Sequence, residues 1–140
     1  MEQNLDRFKF KVARFENEKF DCFLDSEIYL YQDGTLHNAG QFDFELSQNE
    51  TQEIYFKPIF STGLKDKNGK LIYEMDILQF TSPNIKAVVY FDDFTCSTKL
   101  QPIDVWGMHY GEGRHLTRNL VSSATILGNR FQNPELLEKQ

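Results

Sequence analysis

The chain has 140 residues, 40% of them hydrophobic, and a formal net charge of −6. That is enough apolar material to bury the core of one ordinary domain or two very small ones, and the acidic average disfavours a nucleic-acid partner because it repels phosphate, although it is compatible with a local basic face. No run approaches the roughly 20 apolar residues of a membrane span, and MEQNLDRFKF lacks the apolar core of a signal peptide, so we expect a cytoplasmic protein without membrane contact.

The residue types favour a β protein without cross-links. Aromatic residues make up 14% of the chain, and such residues favour half-buried pleated surfaces. Only Cys22 and Cys96 are present, far apart and without a neighbouring Cys or His, so the sequence indicates neither a disulfide framework nor a zinc site. We expect two reduced, structural thiols and no cofactor.

The first half of the chain predicts short strands joined by turns. RFKFKV has an apolar residue at every second position, which is typical of a strand with one buried face: Phe8, Phe10 and Val12. After the polar break RFENEK, Asp33-Gly34 separates two β-rich runs, as in a hairpin. FDFEL alternates like the first strand, with its apolar residues at Phe42, Phe44 and Leu46.

The second half begins near EIYFKPIF. Pro58 has no N–H to donate, so this segment should be an edge strand or end early. LKDKNGK predicts a turn in which Asn68-Gly69 tolerates positive φ, with strands ending at Leu64 and resuming at Leu71. LIYEMDILQF continues as strand, Pro83-Asn84 turns the chain, and IKAVVYF predicts a buried strand.

The remaining residues predict a paired strand, a loop and a closing strand. DDFTCSTKL should pair with IKAVVYF, and SSATILGNRF should close the sheet. Between them, residues 102–118 carry three Gly without a sustained period, which predicts a long loop or an irregular excursion with a short strand or helical turn. Asn133-Pro134 can begin a terminal helical turn, with Asn as its cap. We therefore expect a mainly β protein with short helical pieces, divided into subdomains 1–57 and 58–140.

Paired carboxylates offer one candidate for chemistry. Glu74 and Asp76 are two residues apart, which on a strand puts both on one face, where they could do acid–base or metal work. A solvated face is the favoured interpretation, because no third ligand lies at a suitable spacing. KDKNGK lacks the spacing of a phosphate-binding loop, and Asp92-Asp93 reads as a strand-ending turn.

The three histidines are the other titratable candidates, because His is the side chain that can gain or lose a proton near neutral pH without a shifted pKa. His109 and His115 lie in MHYGEGRHL, and His37 lies in the first half. No Cys or Ser with a triad-like context accompanies them. An enzyme would need Glu74 and Asp76 to converge with His109 or His115, and we expect instead that these histidines are surface or partly packed residues.

Loop 102–118 is the preferred contact surface. It combines aromatic and basic residues of the kinds enriched at protein interfaces and able to stack on single-stranded bases: Trp106, Tyr110, Arg114 and Arg118. Because loops concentrate function, this mixture predicts a binding surface; a purely structural loop is the competing interpretation.

Two segments resemble the YopX family of phage and prophage proteins. TGLKDKNGKLIYEMDIL, from Thr62 to Leu78, is followed about fifty residues later by ILGNRFQNPELLE, from Ile126 to Glu138. The family pairs T-G-L-K-D-K-N-G-K-x-I-Y-E-G-D-I with I-G-N-x-x-x-N-P-E-L-L, and has Gly where this chain has Met75. If that Gly served a positive φ or a bulge, Met75 would cost about 1 kcal/mol or force a local change.

The resemblance implies a small, mostly β protein encoded by a phage or prophage, with an SH3-like barrel in its carboxy-terminal part and no defined activity. On this basis Thr62–Leu78 is a fold signature, and the leading hypothesis is a non-enzymatic protein-interaction module that forms a homo-oligomer or binds a host or phage protein. The alternative is a nucleic-acid binder that uses the aromatic and basic loop.

Overall fold

The computed structural model describes residues 5–39, 44–81, 84–103 and 113–137. The elements found there, in chain order, are a 3₁₀ turn at Asp6–Phe8, β1 (Phe10–Glu16), β2 (Lys19–Phe23), β3 (Ile28–Leu30), β4 (Leu36–Asn38), β5 (Phe44–Leu46), β6 (Ile54–Lys65), β7 (Leu71–Tyr73), β8 (Asp76–Thr81), β9 (Asn84–Asp92), β10 (Ser97–Ile103), β11 (Arg114–His115), α1 (Arg118–Val121), β12 (Thr125–Asn129) and a second 3₁₀ turn at Pro134–Leu137. The predicted mainly β class is confirmed.

Residue contacts divide the chain into two compact units. Unit 1 contains Met1–Lys9 and Phe60–Gln140, and unit 2 contains Phe10–Ile59. The subdomains predicted from the sequence, 1–57 and 58–140, stay a prediction. In the part of the chain that the structure describes, no helix is long and apolar enough to span a membrane.

Unit 2 is built from short antiparallel strands. β1 pairs with β2 across a turn in which Asn17 and Glu18 both have positive φ, and β3, β4 and β5 form a separate three-stranded sheet. Its apolar cluster is centred on the buried side chains Val12, Leu36 and Leu46. The hairpin predicted at Asp33-Gly34 is confirmed, since it joins β3 to β4 with Gly34 at φ 88°.

Some details of the first half differ from the sequence prediction. Phe8 belongs to the first 3₁₀ turn and its side chain is 59% exposed, so the alternating strand begins only at Phe10. Leu46 is buried as expected, Phe44 is 53% exposed, and Phe42 lies outside the described residues. β6 neither ends at Pro58 nor forms an edge: it continues to Lys65 and lies between β1 and β7 in a sheet of order β2-β1-β6-β7, so that prediction was wrong.

Unit 1 contains a five-stranded antiparallel sheet in the order β11-β10-β9-β8-β12. One apolar cluster contains Ile72, Leu78, Ala87, Val89, Leu100, Val121 and Ala124, and a second contains Ile77, Val88 and Ile103 with Leu136 and Leu137 packed against it. The buried strand IKAVVYF, its pairing with the following strand, the closing strand and the terminal helical turn are all confirmed.

Candidate functional site

Asp66 organises the turn in the first family-like segment. The turn joins β6 to β7, as predicted, although Asn68 keeps negative φ and only Gly69, at φ 80°, is left-handed. The Asp66 side chain is 6% exposed, and its Oδ1 accepts hydrogen bonds from the backbone N–H groups of Asn68 and Lys70, each at 2.9 Å. The carboxylate thus accepts hydrogen bonds from two backbone N–H groups of its own turn, in the place of main-chain carbonyl groups.

The same carboxylate reaches the second family-like segment. Its Oδ2 accepts a hydrogen bond from Ile126 N at 3.0 Å, and Lys67 N donates to Ala124 O at 3.0 Å. Burial alone would raise the pKa of Asp66, but the backbone N–H groups of Ile126, Lys70 and Asn68 outweigh it, and the pKa lies below its usual value. Asp66 is therefore an ionised structural link between two distant parts of the chain.

The second segment is held by two asparagines. Asn129 is 9% exposed and its Oδ1 accepts from Phe131 N and Gln132 N, while Asn133 Oδ1 accepts from Asn129 N at 3.2 Å. Asn133 also precedes the terminal 3₁₀ turn, where Leu136 N donates to its carbonyl. The side chains of these two asparagines therefore form hydrogen bonds that fix the local conformation of the backbone.

The two segments pair directly with each other. β8 and β12 are antiparallel neighbours, with Leu78 opposite Ile126 and Asp76 opposite Asn129, and a bulge between them. Arg130 N donates to Met75 O at 2.8 Å. The residues that carry the family resemblance therefore form one structural junction, which supports the interpretation of Thr62–Leu78 as a fold signature.

Met75 occupies a left-handed position in this junction. Its φ is 70°, and Met75 N donates to Val89 O at 2.7 Å, so the backbone is fixed on both sides. The position where the family pattern has Gly does require positive φ, and this chain keeps the conformation with a residue that has a Cβ. The cost is about 1 kcal/mol, because the Cβ crowds the backbone in this region.

Replacing Met75 by Gly should relieve this strain. Met75→Ala removes the half-buried thioether but keeps the Cβ, so it serves as the matched reference. We expect Met75→Gly to be more stable than Met75→Ala by about 1 kcal/mol in urea unfolding, whereas Gly in an ordinary strand would be less stable than Ala. If the Ala variant were the more stable one, the left-handed conformation at this position would be contradicted.

The paired carboxylates share neither a strand face nor a solvated one, so both expectations were wrong: Asp76 is buried and Glu74 is half-buried. β7 ends at Tyr73 and β8 begins at Asp76, so Glu74 belongs to the turn between them. Glu74 Oε2 accepts from Phe60 N at 3.3 Å, whereas Asp76 Oδ2 accepts from Tyr73 N at 2.8 Å. The positive φ of Met75 separates the two groups, and each one serves a different backbone contact.

The histidines take separate positions. His37 stacks on Tyr31 in unit 2, with a ring separation of 3.7 Å, and His115 is exposed on β11, with Nδ1 3.3 Å from Ser97 Oγ. His109 lies outside the described residues. Across the described ranges, no three His, Cys, Asp or Glu side chains are grouped so that they could hold a metal ion.

Two of the four predicted contact residues can be placed. Arg114 is exposed on β11 opposite Leu100, and Arg118 is exposed at the start of α1, where it lines a cleft that Arg114 does not line. Trp106 and Tyr110 lie outside the described residues, as does most of loop 102–118. The contact surface predicted for this loop therefore stays a prediction.

Both cysteines are free, but neither is a buried structural residue, which corrects that expectation. Cys22 is exposed on β2, and Cys96 is exposed in the turn between β9 and β10 at φ 53°. Sequence reasoning also missed Phe94 in that turn, whose side chain is 97% exposed. An aromatic residue inside the polar stretch DDFTCST was the available signal.

Comparisons with known proteins give one family and one solved structure of interest. The chain is similar to protein EF1440 from Enterococcus faecalis, known from a crystal structure, at 21% sequence identity and a TM-score of 0.44, covering 93% of this chain and 99% of that one. A search of curated proteins gave no match. The family model described as YopX protein matches residues 11–138, so this chain belongs to the YopX family.

Proposed function

We propose that this protein is a non-enzymatic protein-interaction module, a YopX-type accessory protein of a phage or prophage acting in the host cytoplasm. The proposal rests on one observation, the 97% exposure of the Phe94 side chain. A fully exposed Phe leaves apolar surface in water, which burial against a partner would remove.

The turn that carries Phe94 is braced from within. We call residues Asp92–Ser97 the Phe94 tip. Asp92 Oδ1 accepts from Phe94 N at 3.0 Å, its Oδ2 accepts from Thr95 Oγ1 at 3.0 Å, and Lys99 Nζ lies 2.8 Å from the same carboxylate. These bonds brace the backbone of the turn, so little backbone ordering would be needed on binding.

Acidic groups accompany the exposed ring. Asp93 precedes Phe94, and its charge acts on the carboxyl of Glu74, which in turn contacts Phe60 N. Burial raises the pKa of Glu74, the hydrogen bond from Phe60 N lowers it in part, and the Asp93 charge raises it further. A complementary partner would therefore offer an apolar pocket rimmed by Lys or Arg.

Two finer expectations belong to this proposal. The antiparallel order β11-β10-β9-β8-β12 supports an SH3-like barrel in residues 58–140. The partner is a second copy of the chain or a host or phage protein. In the alternative function, nucleic-acid binding through loop 102–118, the exposed Arg114 and Arg118 would act with Trp106 and Tyr110.

Phe94→Ser tests the proposal, because an exposed side chain can be changed without disturbing the core. We expect it to abolish nuclease-resistant capture of the partner from host lysate, or to lower the mass found by light scattering if the partner is a second copy. Phe44→Ser, at a ring 53% exposed in unit 2, is the matched control and should change neither. Equal behaviour of wild type and Phe94→Ser in both measurements would refute this role of the tip.

A further inference from the structure

The charges of the chain are distributed unevenly between its two units. Unit 2 contains four Lys or Arg and ten Asp or Glu, which accounts for the whole net charge of −6, whereas unit 1 contains eleven of each and is neutral. The acidic average, which disfavours nucleic acid for the whole chain, is therefore a property of unit 2. The local surface of unit 1 must be judged by its own residues.

Unit 1 has a cleft with cationic walls, which we call the Arg118 cleft. Its volume is about 330 Å³, and it is lined by Asp6, Gly63, Leu64, Lys65 and Arg118. Arg118 comes from the start of α1, Lys65 from the end of β6, and Asp6 from the first 3₁₀ turn. Gly63 has φ 79°, and a Cβ there would lie 3.0 Å from Arg7 Cβ, so a glycine lets Arg7 approach this wall.

One carboxylate positions two of the cations. Asp6 lies 3.1 Å from Lys9 Nζ and 3.6 Å from Lys65 Nζ, while the Lys9 and Lys65 side chains remain 62% and 56% exposed. Asp6 thus holds both ammonium groups near the cleft without removing them from solvent. The neighbouring Asp66 is also ionised, but its carboxylate is buried and its oxygens accept backbone N–H bonds, so it is not presented to a ligand at this surface.

The balance around the Arg118 cleft is positive. Lys65 and Arg118 line the cleft and Arg7 and Lys9 lie beside it, whereas the one acidic residue among the described lining residues is Asp6. Within the described ranges no carboxylate forms an ion pair with Arg118. A guanidinium with its donors available is suited to the oxygens of a phosphate group.

An exposed aromatic ring accompanies these cations. Phe8 follows Arg7 in the 3₁₀ turn and is 59% exposed, with the Arg7 guanidinium 4.7 Å from the ring centroid. Single-stranded nucleic-acid sites combine cations that follow the backbone with aromatic rings on which unpaired bases stack. A paired base in a duplex would not present its face to such a ring.

We infer that the Arg118 cleft binds the phosphodiester backbone of single-stranded nucleic acid, with a base stacked on Phe8. This function uses none of the residues of the Phe94 tip. Phosphates contact Lys65 and Arg118 at the cleft and Lys9 beside it.

Fluorescence anisotropy of a labelled oligothymidylate with the full chain tests this inference. We expect binding that weakens with salt, with a log–log slope of about −2 to −3 for three or four neutralised phosphates. Arg118→Glu and Lys65→Glu should each weaken binding at least about tenfold, and Phe8→Ala should weaken it by a similar factor. Arg118→Gln should make the salt slope shallower by about 0.7 and serves as the milder variant if charge reversal impairs folding.

Lys19→Glu is the matched control, because it makes the same change of charge at an exposed residue of β2 in unit 2. It should leave the affinity within about twofold of wild type. The inference is overturned if the oligothymidylate does not bind at low salt, if Lys19→Glu weakens binding as much as Arg118→Glu, or if duplex DNA binds equally well. The inference is also overturned if inorganic phosphate, at a concentration equal to that of the oligothymidylate phosphates, displaces the oligothymidylate, because the site would then hold a small anion only.

Discussion

Replacing Asp66 by Asn should lower the free energy of unfolding by about 2–3 kcal/mol, although the two side chains have nearly the same shape. The carboxylate accepts three backbone hydrogen bonds, two at Oδ1 and one at Oδ2. Asparagine offers one oxygen, so at least one buried N–H would face an NH₂ group. With the oxygen turned towards Asn68 and Lys70, the bond from Ile126 is the one lost.

The difference in stability between wild type and Asp66→Asn should become smaller in acid. The folded-state pKa of Asp66 lies below its usual value of 3.8, so the ionised carboxylate contributes stability above that pH and the contribution is lost as the pH falls through the lower folded value. Wild type should therefore approach the Asp66→Asn variant in stability below about pH 4. Urea unfolding at pH 7 and at several pH values below 4 measures both quantities.

Asp33→Asn is the matched control for this prediction. Asp33 also accepts bonds within a Gly-containing turn, from Thr35 N at 3.0 Å and Thr35 Oγ1 at 2.6 Å, and its carboxylate is exposed, so both bonds stay within its own turn. Its substitution should have a much smaller effect. Faster hydrogen exchange at the Ile126 amide in Asp66→Asn, but not in Asp33→Asn, would locate the loss. A variant as stable as wild type would contradict the role of Asp66 as a link.

The sequence predicts the strands of this protein better than it predicts their contacts. IKAVVYF is recognisable because a long apolar run bounded by turn residues has few alternatives, and the Asn68-Gly69 turn is recognisable from its residue types. LIYEMDILQF reads as one strand because its apolar content is continuous. The left-handed Met75 that divides it is set by hydrogen bonds to Val89 and Arg130, which no local pattern contains.

In the candidate sites, too, the sequence identifies single residues better than it predicts which residues come together. Arg118 could be singled out as a contact residue from its type and its loop, but Asp6 and Lys65 join it only because β6 and the first 3₁₀ turn meet in unit 1. In the sequence Asp66 cannot be distinguished from an ordinary turn residue, because its hydrogen-bond partner Ile126 lies 60 residues further along the chain. Strand patterns do not identify Phe94 as exposed, because they treat every Phe as a core candidate, whereas exposure depends on where the chain turns.

The second large effect is expected for Gly128→Ala, which should destabilise the protein by about 2 kcal/mol. Gly128 does not have a left-handed φ; it is required by a close approach, since a Cβ there would lie 2.2 Å from Asn133 Oδ1. Asn133 would have to turn away and give up its bond to Asn129 N. The strain would reach the terminal 3₁₀ turn, whose Leu136 and Leu137 pack on the cluster of Ile77.

A double-mutant cycle separates this mechanism from a general effect of adding a methyl group. In an Asn133→Ala background the obstructing amide is gone, so Gly128→Ala should cost much less than it does in wild type. Gly69→Ala is the matched control: Gly69 has φ 80° with no atom within 4 Å of the added Cβ, so its cost of about 1 kcal/mol should be the same in both backgrounds. If Gly128→Ala were equally costly with and without the Asn133 side chain, the close approach would not be the reason for glycine in this segment, and the bulge between β8 and β12 would have to require it instead.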